Sequence, residues 1–308
     1  MPRQEGRNIM VERKTTATYV CGILKYLALI LFALTTLLPF VNLVAKSFSD
    51  DAPVIAGRVG FIPVDPTLAT YNYVLKGNTF FNAFKVSVFI TVFGSLFSVI
   101  VTAMQAFPLS RTHFRGRKPI LYMWIFLMLF GGGMVPNYML YRILGMMDTI
   151  PSLIFPHLIS VYNMLLIKNY FETLPDSLEE AARIDGANNM TVLFKIILPV
   201  SLPMLATITL FYAVAYWNDY FTARMYISTT TRRPLQLYLY DLINNAMQLQ
   251  NQGEQGNTGS INEDEIANLT AETVRAAAIV LSTVPILVVY PFLQKYFVTG
   301  MVVGSVKG

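Results

Sequence analysis

The chain offers few side chains for covalent chemistry. The middle of its apolar runs holds almost no ionisable residue; the exceptions are His157 and, near the end of a later run, Asp219. General acid–base catalysis needs titratable groups within hydrogen-bond reach of a substrate, and ion-driven transport needs carboxylates or proton relays inside the membrane. Neither pattern is present, and the lone His157 reads as a hydrogen-bonded packing residue. No G-x-x-x-x-G-K-[ST] stretch occurs, so the chain does not cradle ATP phosphates in the P-loop manner and must borrow its energy source. Gly131-Gly132-Gly133, followed by Val135-Pro136, lies inside an apolar run and is no phosphate loop. It reads as a weak point or break in a span, tolerable where protein or a water-filled cavity satisfies the backbone; close helix packing is the other reading. Cys21 is the sole cysteine, which excludes an internal disulfide, and no Cys/His cluster has zinc spacing.

What remains is a polar island, Glu180-Ala181-Ala182-Arg183-Ile184-Asp185-Gly186, continuing to Ile197-Leu198-Pro199. Its chemistry is that of docking. Asp176 or Ser177 is placed to cap free backbone N–H groups at a helix start, and Glu179 and Glu180 fall in the first turn, where the helix dipole favours negative charge. Glu179 and Arg183 stand four apart in the favourable order, and Gly186 suits the left-handed residue that ends a helix. These signals predict a helix of about two to three turns. Leu178, Ala181 and Ala182 share one face, a shallow apolar ridge that fits a groove on another protein. A helix lying on lipid would instead carry many Lys/Arg residues and large apolar anchors.

The elements that position this island are membrane spans. Of 308 residues 54% are hydrophobic and 13% charged, about half the charge of a soluble domain, and the mean hydropathy is +0.50. The net charge of +5 is scattered in short clusters with no basic stripe interleaved with aromatics, which argues against nucleic acid. About 20 apolar residues cross a membrane as a helix, and six such runs are expected at 26–45, 86–107, 119–140, 150–170, 199–221 and 274–297. The first is longer than a signal-peptide core and no A-x-A-like site follows it, so it is expected to remain as an anchor. Arg3, Arg7, Arg13, Lys14 and Lys25 precede span one, and Arg111, Arg115, Arg117 and Lys118 crowd the loop between spans two and three. The positive-inside rule then places both termini, residues 1–25 and 298–308, and the polar segment 171–198 in the cytoplasm, with long external loops at 46–85 and 222–273. The second external loop, rich in Asn, Gln and Gly, is expected to pack little.

The pattern Glu180-Ala181-Ala182, Gly186, then Ile197-Leu198-Pro199 resembles the EAA loop of the membrane subunits of binding-protein-dependent ABC importers. Its cytoplasmic side and its position between spans four and five agree with that resemblance. Trp217-Asn218-Asp219-Tyr220 and the tail from Tyr296 to Gly308 are similar to the carbohydrate-uptake, MalG-like branch, and to its oligosaccharide and polysaccharide subgroup. The resemblance covers nearly the whole chain. It implies an all-α polytopic fold of the type I importer permease class, in a bacterial cell inner or plasma membrane. It also implies four kinds of partner: a second homologous permease subunit, two cytoplasmic ATP-binding subunits that hold ATP and Mg, an extracytoplasmic solute-binding protein, and the sugar itself. No cofactor and no catalysis are expected on this chain. Glu179, Glu180, Ala181, Ala182, Arg183, Asp185 and Gly186 would form the coupling helix that sits in a cleft of the ATPase. In some relatives the tail also reaches the ATPase, so residues 300–308 either contact that partner or stay loose.

A sugar pathway wants aromatic faces for pyranose rings and amides or hydroxyls for their hydroxyl groups, without a deep ionic well. Tyr162 and Asn163 in span four, and Tyr212, Tyr216, Trp217, Asn218 and Asp219 in span five, supply that chemistry. The competing reading is an aromatic belt at the membrane interface. Three functions are therefore carried forward: import of an oligosaccharide or polysaccharide fragment, a permease for peptides, amino acids or ions, and a scaffold or receptor that docks a signalling partner.

Overall fold

A computed structural model describes residues 16–76, 78–254 and 270–305. The basic residues Arg3, Arg7, Arg13 and Lys14, residues 255–269 of the second long loop, and residues 306–308 of the tail lie outside that description. In chain order the helices are α1 (Thr16–Ser47), α2 (Asp51–Ile55), α3 (Ala69–Leu75), α4 (Thr79–Ser110), α5 (Arg117–Leu129), α6 (Met134–Ile143), α7 (Pro151–Ile154), α8 (Val161–Glu172), α9 (Ser177–Ile184), α10 (Asn189–Val192), α11 (Leu198–Val200), α12 (Leu202–Asn218), α13 (Phe221–Tyr226), α14 (Leu235–Glu254) and α15 (Ala271–Ser305). The tail expected at 298–308 is helical through Ser305, as the end of α15.

Among the described residues, three helices are each long and apolar enough to cross a membrane: α1, α4 and α15. Two bent pairs add to them. The third expected span is broken at its glycines, so that α5 and α6 meet at 111°, and Gly133 sits at φ +84. A Cβ on Gly131 would meet nothing within 4 Å, and neither α5 nor α6 has a buried residue. Close helix packing within this chain is therefore not what the glycines serve. The fifth expected span begins earlier than 199: α10, a π turn (Leu193–Ile197) and α11 lead into α12 through an 87° bend.

The fourth expected span, 150–170, is not one helix. Its first third is α7 and a 3-10 turn (Phe155–His157), the chain opens at residues 158–160, and α8 resumes at Val161. The polar groups freed by the opening are taken up by tyrosines of α12. Ser160 N–H donates to the Tyr212 hydroxyl at 2.9 Å, and the Tyr216 hydroxyl donates to Ile154 C=O at 2.9 Å. Each hydroxyl also bonds α4, Tyr212 to Thr102 at 2.7 Å and Tyr216 to Ser98 at 2.8 Å. The bulk of two tyrosine rings at a helix crossing requires small partners. Ser98, Thr102, Ala103 and Ala106 line the buried face of α4, and a Cβ on Gly94 would stand 3.0 Å from the Tyr216 ring. Helices α4, α8 and α12 thus form one packed unit, while α15 packs on α1, α12 and α14.

The described parts of the long loops are more structured than the loop composition suggests. Residues 46–85 contain α2, α3 and the first turns of α4. Residues 222–273 contain α13 and the amphipathic α14, whose Leu235, Leu239 and Ala246 are buried. Asp51 of α2 accepts from Thr270 N–H at 2.8 Å and from the Thr273 hydroxyl, which pins the start of α15. At the same end of the bundle, Asp148 accepts from Ser228 N–H at 3.1 Å and Thr229 N–H at 3.0 Å and pairs with Arg232.

Bonds from the Thr229 side chain and backbone hold the Asp148 carboxyl below its ordinary value. A depressed carboxylate contributes stability above the ordinary range and loses it as pH falls through the folded value. Asp148→Asn should therefore raise the hydrogen-exchange rate of the Ser228 and Thr229 amides at neutral pH, while the wild-type amides stay protected until the pH drops below about 3.9. Gly94→Leu forces a side chain into the Tyr216 ring. It should lower the melting temperature of the detergent-purified chain, with overpacking costing about 1–3 kcal/mol.

Candidate functional site

The polar island folds as the capped helix its residues predict, but its first turn is built differently. Asp176, the residue before α9, is already helical and makes no side-chain cap bond. Its carboxylate lies instead 3.9 Å from Arg111. At the other end Gly186 adopts φ +81, its N–H bonds Arg183 C=O, and Ala187 N–H bonds Ala182 C=O. This is the two-bond closure that a left-handed residue permits. Asn188 then caps α10 by accepting from Thr191 N–H at 2.8 Å.

Arg111, at the end of α4, is the residue on which α9 is seated. It is 7% exposed, and its Nε stands 2.7 Å from Glu179 Oε2 in an oblique charge contact. Its guanidinium also lies 5.1 Å over the Phe107 ring and reaches Phe171 C=O at 3.5 Å. Glu179, also 7% exposed, uses its second oxygen for Arg183 at 2.6 Å, and Arg183 continues to Asn189 at 2.8 Å. One line of contacts therefore runs from α4 through α9 to α10. Beside it, Glu172 at the end of α8 pairs with Lys168 at 2.8 Å and with Arg117.

The expected apolar ridge is divided. Ala182 turns inward and joins the core, Leu178 is half-buried, and Ala181, Glu180, Asp185 and Gly186 stay exposed. The largest apolar group α9 presents is Ile184, 87% exposed. A groove of about 690 Å³ between α9 and α10, bounded by Ala181, Asp185, Asn188, Lys195 and Ile196, adjoins that surface. The sequence reading missed Arg111, which it used only as a topology signal, and Ile184. A long apolar residue between Arg183 and Asp185 was the available signal for the second.

The seven residues expected to line a pathway fall into three groups. Tyr212 and Tyr216 are buried and bonded between helices, so their hydroxyls are spent on packing. Trp217 is also packed: it donates to Ser282 C=O at 3.1 Å and meets Phe84 edge-on, which fits neither a pathway nor a belt. Asp219 is paired with His157 Nε2 at 2.9 Å and accepts from Thr222 N–H, so the lone His157 has a partner 62 residues away. Tyr162 and Asn218 remain exposed, Asn218 donating back to Val214 C=O, and Asn163 is buried on α8.

Removing one partner of the Arg111–Glu179 pair leaves the other charge buried without a counterion. Arg111→Ala or Glu179→Ala should each cost about 3–5 kcal/mol, and replacing both by Met should cost less than either. A double-mutant cycle on the thermal unfolding of the purified chain reads this; strict additivity would show the two residues to be uncoupled.

Residues 86–303 match the family described as binding-protein-dependent transport system inner membrane component. The chain is 39% identical over 280 residues to the polygalacturonan/rhamnogalacturonan transport system permease protein YtcP of Bacillus subtilis, covering 91% of this chain and 96% of that one. It is 41% identical over 275 residues to LplC of the same organism, covering 89% and 90%. Among solved structures, a chain of a bacterial ABC transporter involved in the import of the acidic polysaccharide alginate superposes with a TM-score of 0.79 at 35% identity, covering 92% of this chain and 98% of that one. The broken spans, the capped helix seated on Arg111 and these three similarities lead to one identification: the chain belongs to the inner membrane components of binding-protein-dependent transport systems, as an ABC importer permease.

Proposed function

We propose that the chain is the permease subunit of an ATP-driven importer that carries an oligosaccharide or polysaccharide fragment across a bacterial cell membrane. The observation that carries this reading is α9 itself. It is rigidly seated by Arg111 and closed by Gly186, yet it presents Ile184 with nothing in the described chain to cover it. The cargo class is supported by the relatives named for polygalacturonan, rhamnogalacturonan and alginate.

In this reading Arg111, Arg115, Arg117 and Lys118 mark the cytoplasmic end, both termini are cytoplasmic, and the Asp148 end faces outward. Two cytoplasmic subunits hold ATP and Mg, a second homologous permease completes the pathway, and an extracytoplasmic binding protein delivers the sugar. Glu179, Glu180, Ala181, Ala182, Arg183, Asp185 and Gly186 form the coupling helix. When the ATPases close, their motion enters through Ile184 and the 690 Å³ groove. It passes to α4 through Glu179 and Arg111, and to α10 through Arg183 and Asn189. Tyr162 and Asn218 are the pathway candidates whose side chains stay exposed, Asn218 keeping its amide oxygen open to cargo.

Glu180→Arg changes the charge on the exposed face, and Gly186→Pro removes both the left-handed conformation and an N–H that bonds Arg183. Both variants should assemble with the ATPase yet lose ATP-dependent uptake in membrane vesicles. Full uptake by an assembled variant would sink the coupling role.

A further inference from the structure

Helix α14 carries a second polar feature that the transport reading leaves unused. Leu235, Leu239 and Ala246 are buried along one side of it and Leu237 is buried near its start, and the helix packs on α4 and α15. The opposite face then presents Tyr240, Asn244 and Gln248 at four-residue steps, so they stack on one side. Together with Arg224 of α13, Arg233 and Asp241 they line a concavity of about 370 Å³, within the size range of small-ligand sites.

The groups in it are arranged for a ligand more than for each other. Asp241 sits between two guanidinium groups, at 2.9 Å from Arg233 and 3.3 Å from Arg224, so the pocket carries two positive charges against one negative. Arg233 is held in place by Asp241 and by Ser228 C=O at 3.1 Å. Arg224 makes only the longer contact and is 59% exposed, which leaves most of its planar fork of donors open for a carboxylate. Tyr240, 41% exposed, is stacked on Tyr220 with ring centroids 5.0 Å apart and an interplanar angle of 26°, so its orientation is set. The side chains of Asn244, Asn245 and Gln248 make no hydrogen bond to another described residue. Each brings both a donor and an acceptor.

A guanidinium fork, an oriented aromatic ring and unengaged amides within one small concavity are the complement of a sugar acid. We propose that this pocket receives a carboxylate-bearing pyranose, with Arg224 on the carboxylate, Tyr240 along the ring and the amides on the hydroxyls. The proposal rests on the import reading above, which puts this end of the bundle on the side where cargo arrives. It makes this subunit, and not only the binding protein, a point at which charged sugars are told from neutral ones.

The test uses the complete importer, with its partner permease, ATPases and binding protein, in proteoliposomes. Its probes are trigalacturonate and its fully methyl-esterified form, which keeps the rings and removes the charge. Arg224→Gln should lower the ratio of charged to neutral uptake about tenfold, the difference between a charge-assisted and an ordinary hydrogen bond. Arg224→Lys should restore part of that ratio, and Tyr240→Ala should slow both probes. An unchanged ratio in Arg224→Gln, with both probes transported by the wild type, overturns the site and leaves the import reading standing. Failure of the wild-type importer to move either probe under ATP overturns the saccharide reading and the site with it.

Discussion

A backbone opened between packed helices leaves N–H and C=O groups that need partners, and the packing of α4, α8 and α12 is organised around meeting that constraint beside residues 158–160. The two hydroxyls that meet it belong to Tyr212 and Tyr216, and they bond α4 as well. The adjacent face of α4 accommodates those rings with glycine at 94 and hydroxyls at 98 and 102. A conventional continuous span would not need them. Just before the opening, His157 stands within reach of Asp219.

The second organising contact lies at the other end of α4. Arg111 holds α9 through a buried carboxylate, beside the smaller apolar contact that Ala182 makes with the core. A buried ion pair is weak evidence of stability but a strong device for specifying one arrangement over others. Glu179 meets Arg111 through one oxygen and Arg183 of its own helix through the other, so sliding α9 by one residue would part it from Arg111. The helix is therefore fixed in register as well as in position. The glycine-rich break between α5 and α6 contrasts with this, since little within the chain surrounds it.

Much of this was legible in the residues. Apolar runs of about 20 located the long helices, the triple glycine located a 111° break, and Glu179, Arg183 and Gly186 specified α9 from local rules. The failures share a cause, which is that the deciding partner is distant in sequence. Tyr212 and Tyr216 have the composition of a sugar-facing surface, and only the proximity of Ser98, Thr102 and Ser160 shows that their polar ends are already engaged. Asp176 is a good capping residue by type, but Arg111 competes for its charge. The 222–273 loop was read from its Asn and Gln content, while the sparse leucine stripe that packs α14 is diluted in the average. Single-sequence reasoning sees periods and caps; it does not see which of two satisfied states a polar group has chosen.

Arg111 also sets a problem of timing for the nascent chain. It is made well before Glu179, and at about 5–20 residues per second the ribosome takes several seconds to supply the counterion. Until then the guanidinium has no counterion to be buried with and must stay in water or among lipid headgroups. Once Glu179 arrives, the same charge can leave the interface and be enclosed. The order of synthesis thus defers the burial of this arginine until its carboxylate partner exists.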